Sequence, residues 1–236
     1  MEKLIYVLWR RPEQPAEAFV ETLRGPVTER LLALGTPGLT LHAVDAHASA
    51  RAKARLTHLD PPLDGAASFW LDAADERRGY EEALARVAAR AAGYLVCESV
   101  VLPNTTHAAE PGERTPGITM LALLERPARL GQEAWLEHWL EHHRRVALET
   151  QDTYLYVRNV VVRRLAPDAP PFAGIVEEGF DAEAVTDPMR WYRAEGSPER
   201  LRAHLGRMIE SCKAFLDLDR VESHPTSEFV VRARRS

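Results

Sequence analysis

The sequence predicts an α+β fold of two halves that repeat one order of elements, β-α-β-β-α-β. Three observations lead to this prediction. Short apolar runs recur at matching places, each run precedes a segment with helical periodicity, and a stretch rich in proline and glycine divides the 236 residues almost equally. The predicted organisation is therefore a first half (1–103), a linker (104–117) and a second half (118–236).

Each half opens with a short apolar run that a proline ends. These runs are Leu4 to Trp9, before Pro12, and Ile118 to Leu124, before Pro127, and their length favours strands. A helix follows each strand, because apolar side chains return at three- and four-residue steps. The apolar stripes are Phe19, Val20, Leu23, Val27, Leu31 and Leu34 in the first half and Trp135, Leu136, Trp139, His143, Val146 and Ala147 in the second.

Two extended segments, a second helix and a last strand complete each half. The predicted elements are strands 39–45, 64–72 and 97–101 with helix 78–92, and strands 154–162, 173–181 and 227–231 with helix 198–216. Such a split βαβ unit is the ferredoxin-like arrangement, a four-stranded antiparallel sheet with both helices on one face. The other face must be buried, so we expect the two sheets to face each other as an α/β barrel around a pocket. The alternative is that each half pairs with a half of another chain, as a homodimer.

Composition excludes several classes of function. The net charge of −5 argues against a nucleic-acid-binding protein, which needs a basic face. No run approaches the ~20 apolar residues that cross a bilayer, so no membrane partner is expected. The two cysteines, Cys97 and Cys212, form no disulfide framework, which favours a reducing compartment, and we expect a cytoplasmic protein.

The first helix of the second half carries the strongest candidate for chemistry. Trp135, Trp139 and His143 are spaced four residues apart and so lie along one face. A histidine at the core boundary can act as a general acid or base near neutral pH. The ordinary alternative is a core-edge histidine that one hydrogen bond satisfies. His138 and His142 share the spacing of a metal pair, but they lack a third ligand and lie on the polar flank, so no metal site is expected.

Strand residues of the second half supply further candidates. Tyr156 and Asn159 lie in one strand, and Glu177 and Glu178 are neighbours in the next. Since neighbouring strand residues point to opposite faces, one glutamate must point inward, where its pKa would be raised unless it is paired. Pairing with an arginine across the sheet is the equal alternative.

At these positions the second half resembles the EthD family of the dimeric α/β-barrel superfamily. The resembling motifs are Trp135-x-x-His138-Trp139-x-x-x-His143, Tyr156-Val157-x-Asn159, Gly174-Ile175-Val176-Glu177 closing in Phe180-Asp181, and Thr226-x-Glu228-x-Val230. Together they cover most of residues 118–233. The first half resembles a degenerate copy, with Leu23 and Val27 in place of the Trp and His, and with Ser68 in place of Glu177.

The resemblance implies an enzyme that acts on a small apolar or aromatic molecule without a cofactor. The expected chemistry is proton transfer, as isomerisation, dehydration or cyclisation, or monooxygenation. His143 would act as acid or base with Tyr156, Asn159 and Glu177 as catalytic partners, and the substrate would contact Trp135, Trp139, Glu178 and Phe180. One working pocket per chain is then expected.

Two alternatives come from other classes of function. Distant members of the superfamily bind haem, so an oxygenase or peroxidase with His143 as axial ligand is the second hypothesis. A non-catalytic module that binds a small ligand is the third, in which Trp139 and His143 only pack.

Overall fold

The computed structural model describes residues 1–234 and shows a closed, eight-stranded antiparallel barrel with helices on its outside. The strands are β1 (Glu2–Arg10), β2 (Leu39–Ala43), β3 (Gly65–Leu71), β4 (Ala88–Leu102), β5 (Ile118–Glu125), β6 (Leu155–Arg164), β7 (Phe172–Phe180) and β8 (Glu222–Arg232). The predicted α+β class and the barrel are confirmed. No helix within residues 1–234 is both long enough and apolar enough to cross a membrane.

Four longer helices cover the barrel. Helix α1 consists of Ala16–Thr22, the π-helical turn Leu23–Val27 and Thr28–Ala33. Helix α3 has the same make-up, with Gln132–Glu137, the π-helical turn His138–His143 and Arg144–Thr150. Helices α2 (Arg78–Leu84) and α4 (Pro198–Phe215) are regular. One-turn helices at Ala46–Ser49 and Pro188–Trp191 complete the cover. A π-helical turn thus lies inside the first long helix after β1 and inside the one after β5.

The order of strands around the barrel is β1-β3-β2-β8-β5-β7-β6-β4, and β4 returns to β1. Strands β1 to β4 are neighbours, as are β5 to β8. The two sets are joined by hydrogen bonds at both seams, between β2 and β8 and between β4 and β6. Within residues 1–234 each of the eight strands pairs with two neighbours, so the barrel closes within one chain.

One predicted helix is wrong in extent. The sequence predicts a helix over 78–92, but α2 ends at Leu84 and β4 already begins at Ala88. The alanine-rich stretch after Leu84 favours a helix locally, yet these residues pair with β1, with Val7 opposite Ala92 and Leu8 opposite Ala91. Tertiary pairing overrides local propensity here.

The barrel interior has an apolar layer and a polar layer. Side chains that fill the apolar layer come from six strands and include Ile5, Val7, Trp9, Tyr94, Leu121, Leu123, Phe172 and Ile175. Outside the barrel, one core lies beneath α1 and α2, and another lies beneath α3 and α4. An eight-stranded barrel is just wide enough for side chains to fill it or to leave room for one small ligand.

The segment 104–117 connects β4 to β5 and runs beside the end of β8. The backbone amides of Gly112 and Thr115 donate to the carbonyl oxygens of Val230 and Glu228, each at 2.9 Å. The connection is therefore held against the barrel at one end, where it borders the interior.

Trp139 packs on the outer surface of β7 at a point where only glycine fits. A Cβ atom at Gly174 would lie 2.5 Å from Cη2 of the buried Trp139. We expect Gly174→Ala to lower the free energy of unfolding by about 1–3 kcal/mol, because the ring or the strand must shift. Urea denaturation measures the change. Gly206→Ala, in open space on α4, is the control and should raise stability by about 0.5–1 kcal/mol; equal effects at both sites would contradict the packing argument.

Candidate functional site

A cavity of about 380 Å³ opens at the polar end of the barrel. Its wall includes charged side chains from the interior, namely Lys3, Glu98, Glu177 and Glu228. Its rim includes Trp70, Leu155, Val157 and Val230 together with residues of the 104–117 segment. This volume lies in the range of small-molecule sites, which combine apolar walls with a few convergent polar groups.

The ammonium group of Lys3 is the centre of the polar layer. Lys3 lies near the start of β1, is 3% exposed, and shares the inward parity of the apolar Ile5 and Val7. Its Nζ donates to Glu98 Oε2 at 2.6 Å, to Asn159 Oδ1 at 2.9 Å and to Glu177 Oε1 at 3.1 Å. All three ammonium protons therefore have acceptors, as a buried charge requires.

Lys3 fixes Glu177 in its ionised form. Asn159 Nδ2 also donates to Glu177 Oε1, at 2.9 Å. Burial alone would raise the pKa of Glu177, but the charge of Lys3 and then His42 hold that pKa well below its usual range. Burial alone would lower the pKa of Lys3, but Glu177 and Glu98 raise it above its ordinary value. The pair is charged at neutral pH.

Glu228 lies on the same side of the barrel, and no lysine or arginine within residues 1–234 forms an ion pair with it. Its Oε1 accepts from Thr115 Oγ1 at 2.8 Å, a contact that the 104–117 segment supplies. Burial raises the pKa of Glu228, an effect that His42 opposes and Glu177 strengthens. Two buried carboxyl groups that face one cavity are thus pushed towards opposite protonation states, which is the usual arrangement of an acid–base pair.

His42 lies between the two carboxyl groups. It points inward from β2, is 1% exposed, and stands directly opposite Glu228 in the register of β2 and β8. Its Nε2 is 3.3 Å from Glu177 Oε2, and its Nδ1 is 3.4 Å from Thr226 Oγ1. Since Thr226 Oγ1 donates to the carbonyl oxygen of Thr119 at 2.7 Å, it can only accept from His42 Nδ1–H.

The structure separates the four catalytic candidates that the sequence indicates. Asn159 and Glu177 meet inside the barrel, whereas Tyr156 and His143 lie on the helix side. Of the predicted substrate contacts, Trp135 and Trp139 pack together beneath α3 with ring centroids 4.9 Å apart. Glu178 lies opposite Tyr156 in the register, and burial raises its pKa to about 7. Phe180 stacks on Trp191 at 3.8 Å outside the barrel.

His143 lies between α3 and α4 rather than beside the barrel cavity. Its Nδ1 shares a hydrogen bond with Ser211 Oγ at 3.0 Å, and its ring centroid is 4.8 Å from that of Phe215. Burial, and then the neighbouring His138, lowers its pKa to about 3, so the imidazole is neutral near pH 7.

His143 is not placed to act as the axial ligand of a haem iron. An axial ligand needs a ring nitrogen that faces a space for the porphyrin. In residues 1–234, the lining of the barrel cavity does not include His143, and this ring is packed against Phe215 and bonded to Ser211.

The sequence analysis does not predict Lys3 or His42 as site residues, and it does not predict that Glu98 and Glu228 point into the barrel. A usable signal exists: each half ends in a strand with one carboxylate at the same place, in Cys97-Glu98-Ser99 and Ser227-Glu228-Phe229. The alternation of side chains along a strand also identifies Lys3, because its charge lies on the same face of β1 as the apolar Ile5 and Val7. Which of these positions face one another depends on barrel closure, which no local pattern encodes.

Comparisons with known proteins show the fold. No protein-family model matches the chain, and no curated protein matches it either. The chain is similar to a solved anthrone oxidase-like protein, at 12% identity and a TM-score of 0.53, over 100% of this chain and 94% of the other. It is also similar to a dye-decolorizing peroxidase from Bacteroides thetaiotaomicron VPI-5482, at 9% identity and a TM-score of 0.50, over 96% and 92%.

A chlorite dismutase from Candidatus Nitrospira defluvii is similar at 10% identity and a TM-score of 0.48, over 98% and 91% of the two chains. The likeness to the anthrone oxidase-like protein and to the dye-decolorizing peroxidase shows a shared α+β barrel fold and nothing about the reaction.

The buried ion pair generates a stability prediction. We expect Lys3→Met to lower the free energy of unfolding by about 3–5 kcal/mol, because it leaves Glu177 and Glu98 without their cation. Chemical denaturation at pH 7 measures this loss. The control is Arg78→Met, which breaks an exposed pair with Glu82 and should cost less than about 1 kcal/mol; a similarly small loss for Lys3→Met would contradict the network.

The lowered pKa of His143 predicts how the free energy of unfolding depends on pH. Its folded-state pKa of about 3 lies below the ordinary 6.5, so only the unfolded chain takes up this proton between those pH values. The free energy of unfolding should therefore fall as the pH is lowered through this window. His143→Gln should flatten the dependence, measured by urea denaturation from pH 7.5 to 4.5. The exposed neighbour His142→Gln should leave it unchanged; parallel curves for His143→Gln and wild type would contradict the assignment.

Proposed function

We propose that this protein is an enzyme that moves a proton on a small apolar or aromatic molecule bound in the barrel cavity, without a cofactor. One observation carries the proposal: the buried carboxyl groups of Glu177 and Glu228 line one cavity, and within residues 1–234 Lys3 forms an ion pair with Glu177 but not with Glu228. Glu228 is the proposed catalytic acid–base group, because it borders the cavity and keeps one oxygen free of hydrogen bonds to described residues. Lys3 and Asn159 are positioning residues, which act through Glu177.

The walls support the class of substrate. Trp70, Leu155, Val157 and Val230 give the rim an apolar and partly aromatic lining. A carbon acid bound there would place its acidic C–H towards Glu228, and the carbanion formed would be an enolate or phenolate stabilised by hydrogen bonds. Isomerisation, dehydration and cyclisation all begin with this step. Oxygenation by dioxygen would begin with it as well.

We further infer that the chain is a tandem of two ferredoxin-like units, 1–103 and 118–236, joined by 104–117, with the second unit of the EthD type. Supporting observations are the equivalent strand orders β4-β1-β3-β2 and β8-β5-β7-β6 and the π-helical turn in both α1 and α3. Cys97 and Cys212 are free thiols, which supports a reducing, cytoplasmic location.

A hydrogen-exchange assay tests the proposal. Anthrone is a suitable probe, since its methylene protons are acidic and one protein of similar fold is described as anthrone oxidase-like. Under argon in D2O, wild-type protein should accelerate exchange of the methylene protons, followed by ¹H NMR. Glu228→Gln should lose about 10²- to 10⁴-fold of the acceleration, the usual contribution of one positioned acid–base group.

The matched control is His143→Gln, a change outside the cavity that should keep most of the exchange rate. Exchange that survives in Glu228→Gln but collapses in His143→Gln would overturn the assignment of the acid–base group. Wild-type protein that binds the probe in the cavity without accelerating exchange would support a non-catalytic binding module instead.

A further inference from the structure

We infer that His42, Glu177 and Glu228 form a binding site for one divalent first-row transition-metal ion, such as Zn²⁺, at the base of the barrel cavity. The three side chains come from β2, β7 and β8, all are at least nine-tenths buried, and one ligand atom of each lies within 4.8 Å of the other two. The inference stands on this geometry, and it is separate from the proposed proton transfer, which uses Glu228 in the metal-free protein.

The state of His42 is the first argument. Because Thr226 Oγ1 already donates to the carbonyl oxygen of Thr119, it can only accept from His42 Nδ1, which leaves Nε2 as the ring nitrogen that faces Glu177. That Nε2 is buried and has no hydrogen-bond partner among the described residues, although Glu177 Oε2 lies 3.3 Å away. Two lone pairs that face each other at this distance repel unless a positive centre lies between them.

The supporting contacts are the second argument. A metal-binding histidine usually donates its other N–H to a protein oxygen, and a binding carboxylate is usually held by hydrogen bonds. Here Thr226 holds His42, Lys3 and Asn159 hold Glu177 by Oε1, and Thr115 holds Glu228 by Oε1. Each residue keeps one free ligand atom for the common centre.

Charge is the third argument. In the polar layer one ammonium, Lys3, faces three carboxylates, those of Glu98, Glu177 and Glu228. The cavity lining also includes Arg232 and Arg234, but within residues 1–234 neither guanidinium forms an ion pair with Glu177 or Glu228, so a divalent ion would bring positive charge to these two carboxylates. Protons are the alternative occupants of the same atoms, so metal binding should release protons.

The donor set indicates the kind of metal. One imidazole nitrogen and two carboxylate oxygens suit Zn²⁺, Fe²⁺ or Mn²⁺, and Zn²⁺ binds most tightly of these. Bond lengths of about 2.0–2.2 Å place ligand atoms about 3–4 Å apart, so small side-chain rotations bring all three into range. Three protein ligands would leave at least one coordination position for water or a small ligand, and Glu177 and Glu228 border the cavity through which it could enter.

Calorimetric titration of the whole chain with Zn²⁺ at pH 7.5 tests the site. We expect one ion per chain and proton release that varies with the buffer. Glu228→Gln, an isosteric change, and His42→Ala should each weaken binding at least about 10- to 100-fold. The melting temperature of each metal-free variant shows whether it folds, and Glu228→Gln serves if His42→Ala does not fold.

Two histidine variants are matched controls. His107→Gln changes a histidine at the mouth of the same cavity, and His142→Gln removes half of the exposed pair His138–His142, whose rings lie 4.7 Å apart. Both should retain the wild-type affinity. Binding that persists in a folded Glu228→Gln variant, or that is lost in His142→Gln, would overturn the site. The anthrone assay is run on metal-free protein, so failure of one proposal does not imply failure of the other.

Discussion

The buried ammonium of Lys3 is the contact on which the interior of the barrel depends. It joins β1 to Glu98 on β4, Asn159 on β6 and Glu177 on β7, and so links strands from both parts of the chain. Burying these charges is costly, and the cost is offset only when every donor and acceptor is paired. Within residues 1–234, Lys3 forms ion pairs with Glu98 and Glu177 but not with Glu228, so Glu228 is a buried carboxyl group without an ammonium partner.

The two ends of the barrel interior are filled by different kinds of side chain. Trp9, Tyr94 and Phe172 fill the other end with large side chains, and Tyr94 donates to the carbonyl oxygen of Pro170 at 3.0 Å. The polar end contains shorter side chains such as Ser68, which stands beside the cavity. An aromatic floor beneath a polar layer excludes water from below, which strengthens the electrostatic interactions above it.

The fold was largely predictable from the sequence, and the site was not. Strand and helix periods, together with the division at 104–117, predict the order of elements, since these signals are local. Local signals fail in the stretch after α2. The helix propensity of its alanines predicts a helix up to residue 92, but residues from Ala88 onward pair with β1 as a strand. The sequence indicates Asn159 and Glu177 as candidates, but Lys3 and His42 stand alone in their segments, and their contacts exist only after closure brings six strands together.

The stripe of Trp135, Trp139 and His143 shows why a motif on a helix is weaker evidence for a functional site than a charged group inside a barrel. Trp135, Trp139 and His143 pack where α3 meets the sheet and α4, and this burial alone accounts for their spacing. Charged groups inside a barrel have no such structural explanation, because apolar side chains would fill the space at lower cost.

The polar layer is built from residues of both parts of the chain. Lys3, His42 and Glu98 come from residues 1–103, whereas Asn159, Glu177 and Glu228 come from residues 118–236. The part of the chain that resembles a degenerate copy thus supplies the cation and the imidazole, while the other part supplies the amide and two carboxylates. Neither part could build this polar layer from its own strands, so the layer exists only because strands of both parts close one barrel.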